Sequence, residues 1–213
     1  FETTVTHPAG TGATVAYSFR NGHRVRFEAH KIHIKKLLGD VKAYIKSKPK
    51  RLDSSRINIQ NIGYRLVKQG EKRYIGAKVA SWELDIQPRE GHLDKTITVA
   101  TPLQKAGAYL LTAEMADGNT NRIIIWINDT VIAKKPVDQG TYYFVADAIT
   151  GQPIAKLNLE FFGYEQRRQK NRTFDINTTQ FAEFTDSDGQ VIPVPKDLRE
   201  NYQWLITATR ADG

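Results

Sequence analysis

The chain has 213 residues, of which 40% are hydrophobic, 10% aromatic and 25% charged, and it contains no cysteine. This length suits two modest domains, and the composition supports packed cores rather than disorder or a fibrous repeat. The lack of cysteine excludes disulfides, thiolate metal sites, a cysteine nucleophile and a cysteine thioester. No run of about 18 uncharged apolar residues occurs, so we predict no direct membrane insertion. The first residues also lack the charged-then-apolar pattern of a secretory signal, a pattern that trimming would remove.

The formal net charge of +8 is distributed unevenly. Residues 1–133 hold 21 Lys and Arg against 12 Asp and Glu, and the rest of the chain holds 10 against 11. Eleven of these basic residues lie in the segment Arg20–Arg51, where only Glu28 and Asp40 oppose them. Such a cluster attracts anions at low salt, and nucleic acid is one candidate. The cluster lacks the interleaved aromatic residues that single-strand binders use, so we predict no nucleic-acid partner.

The first part of the chain predicts a β-rich domain with one helix. The predicted strands alternate between apolar and polar residues or are apolar throughout; they are Thr14–Phe19, Arg24–Ala29, Lys78–Ile86, Lys95–Ala100, Ala108–Met115 and Arg122–Ile127. Within the last of these, "RIIIWIN" is apolar at every step, which predicts a strand covered on both faces.

The helix is predicted at about residues 33–48. Its apolar residues recur at steps of three and four and fall on one face; they are Ile34, Leu37, Leu38, Val41, Tyr44 and Ile45. Pro49 ends the pattern. Lys35, Lys42 and Lys46 border the apolar stripe. We expect their aliphatic stems to cover the edge of the stripe and their ammonium groups to stay in solvent.

After "WINDTVIAKKPVDQG" the pattern restarts, and Pro136 and Gly140 predict a junction between domains 1–133 and 134–213. The strands predicted beyond it are separated by short Gly, Pro and Asp turns, which is typical of an antiparallel sandwich; they are Thr141–Ala146, Lys156–Phe162, Gln180–Thr185, Gln190–Val194 and Gln203–Thr209. The polar stretch "EQRRQKNRTFDINTT" predicts a protruding loop or a ragged hairpin.

Two further features of the second part concern turns. In "DAITGQPIAK" we expect Asp147 to accept hydrogen bonds from the backbone amides ahead of it, Gly151 to take positive φ, and Pro153 to stiffen the entry to the next strand. In "WLITATRADG" a strand is followed at once by an Asp-Gly pair. Because that strand has no hairpin partner in the sequence, we expect the second domain to be truncated at its C-terminus or cut from a longer protein.

These motifs resemble the macroglobulin-like domains in the N-terminal region of bacterial alpha-2-macroglobulin proteins. "GTYYFVADAITGQPIAKLNLEFFGYE" is similar to that family's opening strand, its Asp-x-x-Thr-Gly-x-Pro turn and its next strand. "FTDSDGQVIPVP" resembles the later Thr-Asp-x-x-Gly turn, and "TPLQKAGAYLLTAEMADGNTNRIIIWINDT" is similar to the end of the preceding domain. The resemblance spans Gly12–Gly213 and is strongest from Thr101 onward.

The resemblance implies two antiparallel β-sandwich domains of macroglobulin, immunoglobulin-like or fibronectin-III-like type, the first with the inserted helix. Full-length members trap proteases after cleavage of a bait segment, and some capture the protease through a Cys–Gln thioester. Implied partners are other domains of the same parent chain and, through the parent, proteases, in an extracytoplasmic location. "GYEQ" (Gly163–Gln166) is similar to the end of the thioester motif, but its nucleophile position is not cysteine. The loop Gln166–Arg172 is basic enough to be cleaved by trypsin-like enzymes.

Metal binding is not predicted for this chain, and neither is a cofactor. His23, His30 and His33 offer imidazoles without a nearby carboxylate, and a structural zinc site needs about four ligands. "DSDG" (Asp186–Gly189) is similar to the start of a calcium loop, but Asp197 stands at the twelfth position where such a loop has Glu, so a turn is favoured.

Covalent chemistry is not predicted either. We find no Gly-x-Ser-x-Gly elbow and no glycine-rich phosphate loop, so no catalytic residues are assigned. Lys156, Asn158 and Glu160 could suggest a spontaneous cross-link, but alternate residues of one strand cannot bond to each other in this way. Asn128, Asn171 and Asn177 fit the glycosylation pattern, which matters only in a eukaryotic secretory pathway.

The sequence therefore predicts a non-catalytic structural or interaction module of a larger protein. The alternative is a pair of sandwiches from a cell-surface adhesin or a carbohydrate-binding protein, because the same turns occur in other seven-stranded sandwiches. Whether the Arg20–Arg51 segment binds a specific anionic partner is left open at this stage.

Overall fold

The structure is a computed structural model, and it describes residues 1, 5–59, 62–116, 118–138, 140–170, 173–194 and 196–210. The chain is mainly β, as predicted, and it divides into two compact units. Unit 1 comprises Phe1–Leu37 and Asn58–Asn128, and unit 2 comprises Leu38–Ile57 and Asp129–Gly213.

The described residues form thirteen strands and three α-helices. The strands are β1 (Val5–Pro8), β2 (Thr14–Phe19), β3 (Arg24–Ile32), β4 (Ile75–Asp85), β5 (Lys95–Ala100), β6 (Gly107–Met115), β7 (Thr120–Asn128), β8 (Thr130–Val137), β9 (Gly140–Asp147), β10 (Asn158–Arg168), β11 (Phe174–Phe184), β12 (Gln190–Val191) and β13 (Gln203–Thr209). The helices are α1 (Ile34–Lys46), α2 (Ser54–Ile57) and α3 (Ile62–Val67), with short 3-10 turns at Lys72–Tyr74 and Glu90–His92.

Unit 1 is built on a five-stranded sheet in the order β1-β7-β6-β3-β4, with β2 and β5 forming a separate antiparallel pair. One ladder departs from the predicted antiparallel arrangement, because β1 runs parallel to β7 with Val5 opposite Ile125. The bounds of β2 and β5 match their predictions, because each is a short strand with a clear period of two.

The core of unit 1 lies on both faces of the five-stranded sheet, as "RIIIWIN" predicted. Ile125 and Ile127 point to a cluster that includes Val15 and Val99 from the β2–β5 pair. The alternating residue Ile124 points to a second cluster that contains residues of α3 and of the first turn of α1. Alternation along a strand thus gives β7 two apolar faces.

Helix α1 lies within the predicted residues 33–48, and it ends shortly before Pro49, the residue predicted to stop it. Lys48 takes φ 48° immediately before Pro49, which suits the bias of a pre-proline residue against the right-handed helical conformation. Its apolar face is buried, as predicted from the periodicity.

The burial partners of α1 belong to both units. Leu37 packs in the second cluster of unit 1, whereas Val41 and Ile45 pack in a cluster of unit 2. Residues 38–57 accordingly group with unit 2, which differs from the predicted division that kept the whole helix in residues 1–133. The domain bounds themselves stay a prediction.

Unit 2 contains two three-stranded sheets, with orders β11-β10-β13 and β12-β9-β8. Between them lies a cluster that includes Val145 of β9 and Leu159 and Phe161 of β10. The other face of β10 carries Phe162, which α1 covers through Val41 and Ile45. Unit 2 therefore layers a helix on two sheets.

Several predicted elements of the second part need correction. The segment predicted as a domain junction has no predicted strand, but residues Thr130–Val137 form β8. This strand is exposed along most of its length, so it lacks the apolar alternation by which strands are recognised. The described residues of "EQRRQKNRTFDINTT" lie mainly in β10 and β11, which pair with Arg168 opposite Phe174, in agreement with the hairpin that was one of the two alternatives predicted. The predicted strand Gln190–Val194 is limited to Gln190–Val191.

Candidate functional site

The turn after β9 has the geometry that its residues predict. Asp147 Oδ1 accepts hydrogen bonds from the backbone amides of Ile149 and Thr150 at 3.0 Å each, and Gly151 takes φ 70°. Pro153 forms an isolated β-bridge with Ala146. The backbone amide of Thr150, followed by that of Ile149, lowers the pKa of Asp147 from 3.8 to about 2. "DAITGQP" is therefore a structural corner, as predicted.

The second carboxylate oxygen of Asp147 reaches a cation that local sequence did not indicate. Arg210 Nη2 donates to Asp147 Oδ2 at 3.1 Å, and Arg210 Nη1 lies 3.7 Å from Asp129 Oδ2. Arg210 follows β13, whereas Asp129 precedes β8 and Asp147 ends β9. One guanidinium thus joins the ends of strands from both sheets of unit 2, through a hydrogen bond to one carboxylate and an ion pair with another.

Strand β13 is an edge strand of unit 2 without the usual protection against edge pairing. Among the described residues it pairs with β10 alone, and residues Trp204–Ala208 are half-buried. The strand carries no charged residue and no proline. An edge of this kind presents unpaired backbone groups on which a further strand can add.

An edge of the other sheet of unit 2 is protected. Strand β8 ends the other sheet and exposes Lys134, Lys135 and Pro136. Charged side chains and proline are the usual means by which natural sheets prevent edge pairing. The free edge of β13 is therefore our candidate interaction surface. The Asp-Gly pair predicted as the turn after it lies outside the described residues.

The basic segment Arg20–Arg51 is paired at many positions rather than left as a free cationic run. Arg20 binds Asp94 through two hydrogen bonds of 2.9 and 3.1 Å, and Arg24 Nε lies 2.8 Å from Asp85 Oδ1. The hydrogen bond and charge of Asp94 raise the pKa of Arg20, while those of Arg20 lower the pKa of Asp94. All four of these residues belong to unit 1.

Two lysines of α1, Lys42 and Lys46, bind other residues of unit 2, to which they themselves belong. Lys42 Nζ lies 2.8 Å from Glu160 Oε1, and Lys46 Nζ donates to Gln180 Oε1 at 2.9 Å. Both ammonium groups stand over the ring of Phe162, at 5.9 and 5.5 Å from its centre. Their stems border the apolar stripe as predicted, but their charged ends bind β10 and β11. The basic segment is therefore shared between the two units and in part used for packing.

No family model matches the chain, and no curated protein matches it. Among solved structures, it is similar to the crystal structure of native alpha-2-macroglobulin from Escherichia coli spanning domains NIE–MG1, with a TM-score of 0.54 and 14% sequence identity. The match covers 96% of this chain and 89% of that chain. The chain has the fold of these alpha-2-macroglobulin domains. The fold implied by the sequence motifs is thereby confirmed.

Longer alpha-2-macroglobulin structures also align with the chain. The Escherichia coli structure spanning domains MG0–NIE–MG1 has a TM-score of 0.45 and 12% identity, covering 97% of this chain and 64% of that chain. The Salmonella protein reacted with methylamine has a TM-score of 0.28 and 12% identity, covering 97% of this chain and 16% of that chain. This chain therefore spans a small part of the Salmonella chain.

The "GYEQ" stretch of this alpha-2-macroglobulin fold lies inside β10. A Cβ at Gly163 would lie 2.7 Å from the ring of Trp204, so close packing requires the glycine. Glu165 Oε1 accepts hydrogen bonds from Arg167 Nε at 2.6 Å and from Asn201 Nδ2. Among the described residues its Oε2 is buried without a partner. These side chains pack and pair within unit 2.

The histidines named from the sequence lie on or beside β3. His30 lies within that strand, His33 precedes α1, and the backbone carbonyl of His23 accepts from the Ile86 amide. In the part of the chain that the structure describes, no three His, Cys, Asp or Glu residues are placed to hold a metal ion. None of the helices there is long and apolar enough to span a bilayer.

The stretch Asp186–Gly189 uses its carboxylate to hold its own backbone. Asp186 Oδ1 accepts from the amides of Asp188 at 2.9 Å and Gln190 at 2.8 Å, and Gly189 takes φ 71°. Asp186 Oδ1 thus holds the turn, in agreement with the turn favoured from the sequence.

The remaining candidates lie in several elements of the chain. Lys156 lies in the turn before β10, with φ 56°, whereas Asn158 and Glu160 lie in β10, where Glu160 pairs with Lys42. Asn128 lies in β7 and Asn177 in β11, where its side chain donates to Asp175 at 3.4 Å. Asn171 and Arg172, from the glycosylation pattern and the cleavable loop, lie outside the described residues.

Proposed function

We propose that this chain is a non-catalytic structural and interaction module of a larger alpha-2-macroglobulin-like protein. The observation that carries the proposal is the match of the two units, over 96% of the chain, to the NIE–MG1 fragment of Escherichia coli alpha-2-macroglobulin. We also propose that the domains of that fragment correspond in order to the two parts of this chain, which were predicted as residues 1–133 and 134–213.

The described contacts support a scaffold role for unit 2. Phe162 is fully buried beneath α1, two lysines tie that helix to β10 and β11, and Arg210 joins strand ends of both sheets. These features stabilise the unit and leave the free edge of β13 for contact with another segment. We propose that other domains of the same parent chain are the partners of this surface.

The proposed activity belongs to the parent protein. We propose that the parent traps or inhibits proteases after cleavage of a bait segment, and that proteases meet this module only through the parent. We place the parent outside the cytoplasm, in the periplasm, in the cell envelope or secreted. This chain has no cysteine and supplies no thioester, and we assign it no catalytic residue, cofactor or nucleic-acid partner.

The test uses a longer polypeptide that contains this chain, incubated with trypsin. We expect the trypsin to remain with the cleaved polypeptide on a native gel and to keep activity on a small peptide while losing activity on a large protein. The 213-residue chain alone is the control, and we expect it to retain no protease. Cleavage of the longer polypeptide without retention of the protease would refute the trap, and retention by the chain alone would refute its role as a non-inhibitory module.

A further inference from the structure

We propose that Asn21 is a site of spontaneous deamidation and isoaspartate formation. Asn21–Gly22 is the only Asn-Gly pair in the sequence. It lies in the connection between β2 and β3 of unit 1, where Asn21 is exposed to solvent. Glycine has no Cβ, so its backbone nitrogen is the least obstructed nucleophile that can follow an asparagine.

The reaction needs only water. The backbone nitrogen of Gly22 attacks Cγ of Asn21 and forms a five-membered succinimide, while the Cγ–Nδ2 bond breaks. The proton from the backbone nitrogen leaves with Nδ2 as ammonia. Water then opens one of the two imide C–N bonds and gives either aspartate or isoaspartate. The net change is one water consumed and one ammonia released, with no change of oxidation state.

A neighbouring histidine is placed to assist the attack. His92 Nδ1 lies 2.8 Å from Asn21 Oδ1. When Nδ1 carries the proton, it donates to the amide oxygen, draws electrons from Cγ and stabilises the oxyanion that forms as Gly22 attacks. A hydrogen-bond donor aimed at a developing oxyanion is an effective catalytic device. His92 comes from the 3-10 turn Glu90–His92, which the fold brings beside the β2–β3 connection.

The fold favours retention of the labile pair. Asn21 has φ 61°, a left-handed conformation that asparagine tolerates better than most residues. A Cβ at Gly22 would lie 1.5 Å from Cε of the buried Met115, so any other residue there requires that side chain to move. The turn therefore accommodates the two residue types whose sequence is chemically labile.

The test measures conversion of each asparagine in the intact chain during incubation at mildly alkaline pH. Peptide mass spectrometry detects the gain of about 1 Da per converted residue, and an isoaspartyl methyltransferase with labelled S-adenosylmethionine detects isoaspartate. Asn21→Gln is the control, because its longer side chain cannot form the five-membered ring. His92→Gly removes the imidazole and suits the positive φ of 59° at that position.

We expect Asn21 to convert before every other asparagine of the native protein and Asn21→Gln to lose the isoaspartate signal. We expect His92→Gly to slow conversion of Asn21 by about tenfold or more in the native protein, and to leave its rate in concentrated urea unchanged. Conversion of Asn21 no faster than that of the other asparagines would overturn the proposal. Equal native rates with and without His92 would overturn the assisting role of the imidazole.

Discussion

Replacement of Phe162 by alanine tests whether the packing of α1 on β10 stabilises unit 2. The Phe162 ring is fully buried in a cluster with Val41, Ile45 and Ile176. Truncation of a buried phenylalanine to alanine costs about 3–5 kcal/mol. The two lysines over the ring add up to about 1 kcal/mol that is also lost. We therefore expect a loss of about 4 kcal/mol in the free energy of unfolding of unit 2.

The measurement is urea unfolding, with the Trp fluorescence of unit 2 followed through Trp204. Single-tryptophan variants that retain only Trp204 or only Trp82 separate the two units. A cost of about 4 kcal/mol corresponds to a fall in melting temperature on the order of 15 °C or more for a domain of this size.

A matched variant sharpens the test of Phe162. Phe184 lies in β11 of the same unit and is 68% exposed, so Phe184→Ala should change stability by less than about 0.5 kcal/mol. A Phe162→Ala cost below about 1 kcal/mol, or equal costs for both variants, would refute the packing of α1 on β10.

Two further predictions concern close packing and pH. Gly163→Ala places a methyl group 2.7 Å from the Trp204 ring and should destabilise unit 2 by about 1–3 kcal/mol. Gly39 lies in α1, and no atom lies within 4 Å of the methyl group that Gly39→Ala would add, so this variant should stabilise the protein by about 0.5–1 kcal/mol. Chemical denaturation measures the change in the free energy of unfolding for each variant. A change of the same sign for Gly163→Ala and Gly39→Ala would contradict the packing argument. Because the folded pKa of Asp147 is about 2, below its ordinary 3.8, its contribution is present above pH 3.8 and is lost as pH falls toward 2. Melting temperatures from pH 5 to pH 2 should fall more steeply for the wild type than for Asp147→Asn, and equal slopes would contradict the assignment. Arg210→Met should lower the melting temperature at pH 7, and a second change at Asp147 should then cost less than it does alone.

Local patterns were sufficient where one stretch of chain carries the whole signal. The period of two in β2 and β5, the continuous apolar run of β7 and the helical spacing of α1 each depend only on neighbouring residues. The Asp147 corner is similar, because its carboxylate binds amides two and three residues ahead.

Other features depend on residues that are distant in the chain. Strand β8 is exposed along most of its length and lacks apolar–polar alternation, so only its ladder with β9 reveals it as a strand. The bridge from Arg210 to Asp147 spans 63 residues, and no local pattern selects one of the many acids as the partner.

The sequence by itself determined the strand-rich character, the position of α1, the turn at Asp147 and the resemblance to macroglobulin-like domains. It did so because periodicity, proline and glycine act through the backbone within a few residues. Only the tertiary structure decided which surface α1 covers, which edge of unit 2 is left free and which cations are neutralised. Those outcomes depend on the second face of β10 and on pairings across the sheets, where apolar burial and charge act through space rather than along the chain.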